Sequence, residues 1–273
     1  MTSSVRPSRI VRHGSDITAV RADNPGPLTL TGTKTYVIGT GPVIVLDSGP
    51  QDEAHLGRVD EVIAGRPVAA VCLTHAHADH SASAAAASAR WGELRAAAAT
   101  LDRLEWAGRA LADGEAMETG EGLRLRAVPT PGHSADHLCY LLEPSRALFT
   151  GDLVLGEGST MIAHPDGSVG AYLASLARLA ALRPGRLFPG HGPAVGDALA
   201  RLEECRAHRH RRVAAVRRAL EAGARTPARI RAAVYGDLPA SHHAAADLTI
   251  RAYLAFLEET SFGETSSSIS RRR

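Results

Sequence analysis

The chain has 273 residues, 44% hydrophobic and 22% charged, which excludes wholesale disorder and leaves room for one large domain or a catalytic domain with an appendage. Its net charge of +2 hides a segregation: residues 1–200 carry 17 basic and 21 acidic side chains, residues 201–235 ten Arg against three Glu, and residues 236–273 four Arg against five acids. No apolar stretch approaches the roughly 20 residues of a membrane-spanning helix. There is no apolar signal segment, and the three cysteines are widely spaced, so a cytoplasmic setting without a disulfide framework is expected.

Short β-branched runs predict strands over Ile17–Val20, Thr35–Ile38, Val43–Leu46, Ala69–Leu73, Leu123–Val128, Leu138–Leu142 and Ala147–Phe149. Helices are expected over Ser81–Arg90, Leu101–Arg109 and Gly170–Leu182, the last with Tyr172, Leu173, Leu176, Leu179 and Ala180 on one face. Strands outnumber helices and come partly in adjacent pairs, which fits sheet layers covered by helices. From about Asp197 the pattern turns helical: one helix through Leu202 to Leu220, a second capped by Thr226 with Pro227 at its first position, and a third capped by Ser241. The Ser-rich stretch 261–273 reads as a disordered tail, giving a division into residues 1–196, 197–260 and 261–273.

The chemistry concentrates after the run Ala69–Leu73, in Thr74-His75-Ala76-His77-Ala78-Asp79-His80. Three His and one Asp at the end of an apolar strand put several borderline-soft ligands where one loop can fold them around a cation. A solvated polar loop is the competing reading. It loses ground because His recurs in the turns Pro131-Gly132-His133 and Pro189-Gly190-His191, and a carboxylate ends another strand in Thr150-Gly151-Asp152. Seven potential ligands exceed what one tetrahedral ion accepts, so the inventory suggests two metals bridged by Asp152.

This set of motifs resembles the metallo-β-lactamase superfamily. The segment Asn24-Pro25-Gly26-Pro27 through Gly32-Thr33-Lys34-Thr35-Tyr36 is similar to the N-terminal signature of the β-lactamase-like protein 2 family, as are Pro131–His137, Gly151–Thr160 and a helical C-terminus containing His208-Arg209. The resemblance implies an α+β fold, an αβ/βα four-layer sandwich, with a small helical, winged-helix-like C-terminal domain. It implies His75, His77 and His133 on one metal, Asp79, His80 and His191 on the other, and Asp152 between them. Two Zn2+ per chain are the expected cofactors, with other divalent metals as substitutes.

The function expected on family grounds is a binuclear zinc hydrolase in which the metals activate water, acting on single-stranded RNA or another phosphodiester, with Asp79 and Asp152 as catalytic residues. The alternatives are an acyl-thioester hydrolase, carrier-protein or glyoxalase-like, and a nucleic-acid-binding module whose metal is structural. Expected partners are a small ester or thioester or single-stranded RNA, an acidic carrier protein, no membrane, and a second copy as homodimer. Lys34, standing where the family usually has Asn, Gly158, Ser159, Thr160 and Arg209 are candidate substrate contacts. Asp47 and His137 are candidate supports for the ligands. The Arg block at 201–235 has three readings: an RNA grip, a docking surface for an acidic protein, or a solvated helix face.

Overall fold

The structure is a computed structural model that describes residues 8–120 and 122–270, the side chains of 261–270 excepted. It divides into two compact units. The first comprises Met1–Pro129, Asp136–Gly158 and Arg183–Ala198, and the second Thr130–Ala135, Ser159–Leu182 and Leu199–Arg273.

Both sheets belong to the first unit. The larger has seven strands in chain order: β1 (Ile10–Arg12), β2 (Ile17–Arg21), β3 (Lys34–Ile38), β4 (Val43–Leu46), β5 (Val68–Cys72), β6 (Leu94–Ala96) and β7 (Arg109–Ala110). It is antiparallel from β1 to β4 and parallel from β4 to β7. The smaller sheet runs β12-β11-β10-β9-β8, built from β8 (Ala116–Glu118), β9 (Arg124–Pro129), β10 (Leu138–Glu143), β11 (Ala147–Gly151) and β12 (Arg186–Pro189), with only the β11/β12 pair parallel.

The unbroken apolar runs of β4 and β5 have a simple cause: both faces of these strands are covered. Ile44, Leu46, Ala70 and Cys72 point into one core with Tyr36, Tyr140, Leu142, Phe149 and Phe188, contributed by both sheets. Val43, Val45, Val71 and Leu73 point the other way, onto Leu56, Val59 and Ile63 of α1 (Glu53–Ile63) and Ala87 and Trp91 of α3 (Ala84–Trp91). Phe149 and Phe188 stack with ring centroids 5.3 Å apart, and Tyr36 meets Phe149 edge-on at 5.0 Å.

Helix α1 is not among the expected elements, although Asp52 caps it through the Ala54 N–H and its buried residues Leu56, Val59 and Ile63 follow helical spacing. The helix expected over Ser81–Arg90 is two: α2 (Ala78–Ser81) and α3, separated where the Ser83 hydroxyl donates to the Pro50 carbonyl at 2.6 Å. The helix expected over Leu101–Arg109 is corrected to α4 (Ala98–Arg103). Glu105 adopts φ +51° and ends it, and Gly108 packs against the Leu94 carbonyl so that Arg109–Ala110 joins the sheet edge.

The second unit is helical: α5 (Val169–Ala181), α6 (Ala198–Glu221), α7 (Pro227–Tyr235) and α8 (His243–Ser270). Thr226 caps α7 through the Arg229 N–H, whereas Ser241, expected as a cap, lies inside the 3-10 turn Ala240–His242 with its hydroxyl against His242 Nδ1. Among the described residues no strand follows β12, so the helices carry no β-wing; Gly236–Pro239 is too short a link between α7 and α8 to form one. The tail expected to be disordered from Ser261 is instead helical to Ser270. Once a packed helix is nucleated, each further residue adds a backbone hydrogen bond at little cost, and 261–270 contains no proline. Residues 271–273 of that tail lie outside the described residues.

Phe149 is fully buried between the sheets. Phe149→Ala is expected to destabilise the protein by about 3–5 kcal/mol, read as a lowered denaturant midpoint at unchanged slope; a loss below about 1 kcal/mol would contradict the two-sheet core.

Candidate metal centre

Each cluster residue of the first unit follows the carboxyl end of a strand. His75, His77, Asp79 and His80 follow β5, Asp152 follows β11, and His191 follows β12. The Tyr36 hydroxyl anchors the last of these turns by donating to the Pro189 carbonyl at 2.8 Å. Gly190 is required there: a Cβ would lie 2.6 Å from His80 Cε1 and 2.9 Å from Asp152 Oδ1.

Four donor atoms converge. His80 Nε2 lies 3.3 Å from His191 Nε2, 3.3 Å from Asp152 Oδ1 and 3.4 Å from Asp79 Oδ2. His191 Nε2 lies 3.1 Å from Asp79 Oδ2 and 3.2 Å from Asp152 Oδ1. The edge of a tetrahedron around an ion with bonds of roughly 2.0–2.1 Å is about 3.3 Å, so this spacing fits a tetrahedral cation. Beside it, His75 Nε2 and His77 Nδ1 approach to 2.9 Å, and His75, His80 and Asp152 form a further group of mutually close donors. The donor set is imidazole and carboxylate, which suits zinc and its neighbours in the first transition row.

One carboxylate sets the tautomers of two of these rings. Asp47 Oδ2 lies 2.8 Å from His80 Nδ1 and accepts a hydrogen bond from the proton that this nitrogen keeps, so that when a cation is bound the lone pair is on Nε2, facing the cluster. Asp47 also accepts the Thr74 N–H at 2.7 Å and the Thr74 hydroxyl at 3.0 Å. With its proton committed to Asp47, the Thr74 oxygen accepts from His75 Nδ1 at 3.0 Å, which turns the His75 Nε2 lone pair toward His77. Asp47 holds φ +61°, a left-handed conformation that its bond to the Cys72 carbonyl and these side-chain contacts maintain.

The ligand supports extend further. His137 Nε2 accepts the Asp152 N–H at 3.2 Å. Asp136, passed over in the sequence, is 3% exposed and accepts the Ala76 N–H and the Thr100 hydroxyl, each at 2.9 Å, pinning the loop between His75 and His77. Only its place in the Pro131–His137 motif hinted at it. Thr33, also passed over, donates to Asp79 Oδ2.

The candidate substrate contacts fare differently. Lys34 donates its ammonium to the Gly192 carbonyl at a cavity of about 320 Å³ that Arg9, His13, Arg21 and Glu157 also line, and burial, with Arg21 nearby, lowers its pKa to about 8. Arg209 is corrected from a solvent-facing cation to a buried one. Only 2% exposed, its guanidinium donates to Tyr253 Oη and the Thr160 carbonyl at 2.8 Å each and to the Ser159 hydroxyl at 3.0 Å, over the Tyr172 ring. Helical periodicity in α6 puts it on the apolar side, where two tyrosines and a carbonyl satisfy a charge that composition alone assigns to the surface. Thr160 is likewise buried, so the loop expected to face substrate with Ser159 and Thr160 is bound to protein groups instead; Gly158 is exposed with φ +68°. In the same unit, His133 Nδ1 faces the Met161 carbonyl at 2.8 Å and the Thr160 hydroxyl at 3.1 Å. A carbonyl only accepts, so Nδ1 carries the proton and Nε2 the lone pair of this ring.

A two-sheet αβ core with His and Asp donors gathered at strand ends defines the class of metal-dependent sandwich proteins. Residues 28–191 match the family described as the metallo-beta-lactamase superfamily, and the chain belongs to it. Among curated relatives, the lactamase-like protein nscB of Neosartorya fischeri is 36% identical over 77% of this chain and 61% of that protein. The atrochrysone carboxyl ACP thioesterase of Aspergillus fumigatus is 33% identical over 82% of this chain and 75% of that protein. The chain spans about three fifths of the length of the first lactamase-like relatives it matches. The fold is shared with a beta-lactamase domain protein from Burkholderia ambifaria, TM-score 0.79 at 20% identity over 92% of this chain and 88% of the other. A metallo-beta-lactamase family protein from Thermus thermophilus gives 0.75 at 23% identity over 90% and 94%.

Without a cation, the buried carboxylates favour protonation of the imidazoles. Burial opposes it, yet the Asp152 charge and hydrogen bonds to Asp152 and Asp79 raise His191 to about 9, and His80 is raised well above its usual range against its own burial by Asp152 and Asp47. Against burial, the His191 hydrogen bond and the His80 charge lower Asp79 to about 2, while the charges of His80 and His191 hold Asp152 well below the carboxylate range. The His191 contribution stabilises the metal-free fold fully below its unperturbed value of 6.5 and is lost as pH rises through about 9. Cation binding must displace these protons, so affinity should rise with pH from 7 to 9, by about tenfold per unit for each proton displaced. Calorimetry of zinc binding at pH 7.5 in buffers of different ionisation enthalpy should count at least one proton released per chain; none would contradict this centre.

Proposed function

We propose that the chain is a two-metal hydrolase of acyl thioesters, with zinc as the metal. The observation that carries the reading is the convergence of Asp79, His80, Asp152 and His191 donors at tetrahedral spacing beside the His75–His77 pair. By family resemblance His75 and His77 would help to hold the second cation, and Asp152 would contribute to holding both. Bound divalent cations supply Lewis acidity and lower the pKa of water toward about 7.

The chain's own residues supply orientation and proton handling. Asp152, held through its N–H by His137, would orient the attacking water; Asp79, ionised beforehand, would accept the proton that the water gives up and pass it to the departing thiolate as the carbon–sulfur bond breaks, leaving a carboxylic acid and a free thiol. No cysteine is placed to compete for the role. All three cysteines are buried; Cys72 packs its sulfur against Met117, and burial pushes its thiol far up. A purely structural metal fits poorly, because structural zinc sites close around one ion with four ligands, whereas six donors already gather in the first unit alone.

The thioester alternative is favoured over the phosphodiester expected first because a relative matching most of the chain is named as a carrier-protein thioesterase. The outer face of α6 agrees with an acidic carrier as partner. Arg211, Arg217 and Arg218 are exposed with no ion pair recorded among the described residues, whereas Arg201 and Arg206 pair with Glu204 and Glu203.

Purified chain loaded with zinc should release thiol from acyl thioesters and leave labelled single-stranded RNA intact, with Asp152→Ala at background. RNA cleavage without thioester turnover would restore the phosphodiester reading, and turnover of neither would remove the enzyme. The pair Arg217→Glu, Arg218→Glu should raise KM for a carrier-bound thioester by up to about tenfold at low salt, an effect that fades as salt rises. An unchanged KM would mean that α6 is a solvated face.

A further inference from the structure

The loop leading into β3 carries a hydroxyl that the donor cluster does not by itself explain. Thr33 is 1% exposed, and its Oγ1 lies 3.0 Å from Asp79 Oδ2. Asn24 settles the direction of that bond. Its Nδ2 donates to Thr33 Oγ1 at 2.9 Å while its Oδ1 accepts the Thr33 N–H at 2.9 Å, the amide orientation in which both bonds form. With its oxygen already accepting, the single hydroxyl proton of Thr33 goes to the carboxylate, as a charge-assisted bond.

The loop that presents this hydroxyl is closed on itself. The Asn24 carbonyl accepts the Thr29 hydroxyl at 2.5 Å, and the Ala22 N–H bonds the Thr33 carbonyl at 2.8 Å. Gly32 holds φ +126° with the Ala22 carbonyl so near that a Cβ would sit 2.3 Å from it. Only glycine allows that approach.

Oδ2 is also the Asp79 oxygen that faces the cluster, 3.1 Å from His191 Nε2 and 3.4 Å from His80 Nε2. Asp79 itself sits on α2, a four-residue helix, with 28% of its side chain exposed. A carboxylate in such a place turns readily about its last torsion, whose wells are broad. We infer that Thr33, aligned by Asn24, is a positioning residue that fixes which Asp79 oxygen meets the cation held with His80 and His191. Neither Thr33 nor Asn24 touches the reacting atoms. The inference rests on the metal-centre reading above and adds to it the residue pair on which the Asp79 side of the centre depends.

The test is a cobalt(II) titration of the full chain, followed by absorbance and by competition with a chelator, for wild type, Thr33→Val, Thr33→Ser, Asn24→Ala and Asp79→Ala. Thr33→Val keeps the shape of the side chain, and thermal melting of each metal-free protein confirms folding. Asp79→Ala should lose one metal equivalent. Thr33→Val should bind that same equivalent about 10- to 100-fold more weakly while holding the other unchanged, Thr33→Ser should stay close to wild type, and Asn24→Ala should fall between. Both equivalents bound by Thr33→Val as tightly as by wild type, with Asp79→Ala still losing one, would overturn the positioning role and leave the centre intact. So would a Thr33→Ser variant as weak as Thr33→Val, since the loss would then belong to packing. If Asp79→Ala retains both equivalents, the metal-centre reading fails first and the inference with it.

Discussion

Nitrogen and oxygen donors held 3.1–3.4 Å apart in a buried place cannot all keep their lone pairs pointed at one another without something positive between them. That constraint organises the first unit. Asp47 accepts hydrogen bonds from the His80 Nδ1–H and from the Thr74 hydroxyl, whose oxygen in turn accepts from the His75 Nδ1–H, so the Nε2 atoms turn inward. Asp136 and His137 hold the loops that carry His77 and Asp152, and Tyr36 anchors the turn of His191. The two-sheet core beneath supplies rigidity: β5, β11 and β12 are buried enough that the loops at their carboxyl ends start from fixed points.

The second unit repeats the logic on one residue. Arg209 in α6 binds Tyr253 in α8 and the Thr160 carbonyl, and the Thr160 hydroxyl meets His133 Nδ1. A run of contacts from the C-terminal helices thus ends on the His133 imidazole and fixes its tautomer. The positive charge of residues 201–235 is split in the same way. Arg209 is spent internally and Arg212 lies over Tyr235, while Arg211, Arg217 and Arg218 face outward. Composition registers only the sum.

What can be read from the sequence follows from distance along the chain. His75, His77, Asp79 and His80 announce themselves because six adjacent positions carry four ligand residues, and the Pro-Gly-His turns and Gly151-Asp152 stand directly after apolar runs. Strands β2 to β5 and β9 to β11 are legible because their β-branched runs are bounded by turn residues. Asp136 and Thr33 are not, since their partners lie 60 and 46 residues away and neither has a local pattern of its own. Arg209 is misplaced by sequence reasoning because an arginine in a basic helix looks like all the others until tertiary packing surrounds it. Helix α1 escapes notice although its cap and period are present; Gly57 and three acids dilute an apolar face of only three large residues.

Anomalous scattering at the zinc edge from crystals of the zinc-loaded protein tests the central claim most directly. Two peaks are expected, one bonded to Asp79, His80 and His191 and one to His75 and His77, with Asp152 reaching both. A single peak, or peaks bonded to other residues while these donors stay paired to one another, would contradict it.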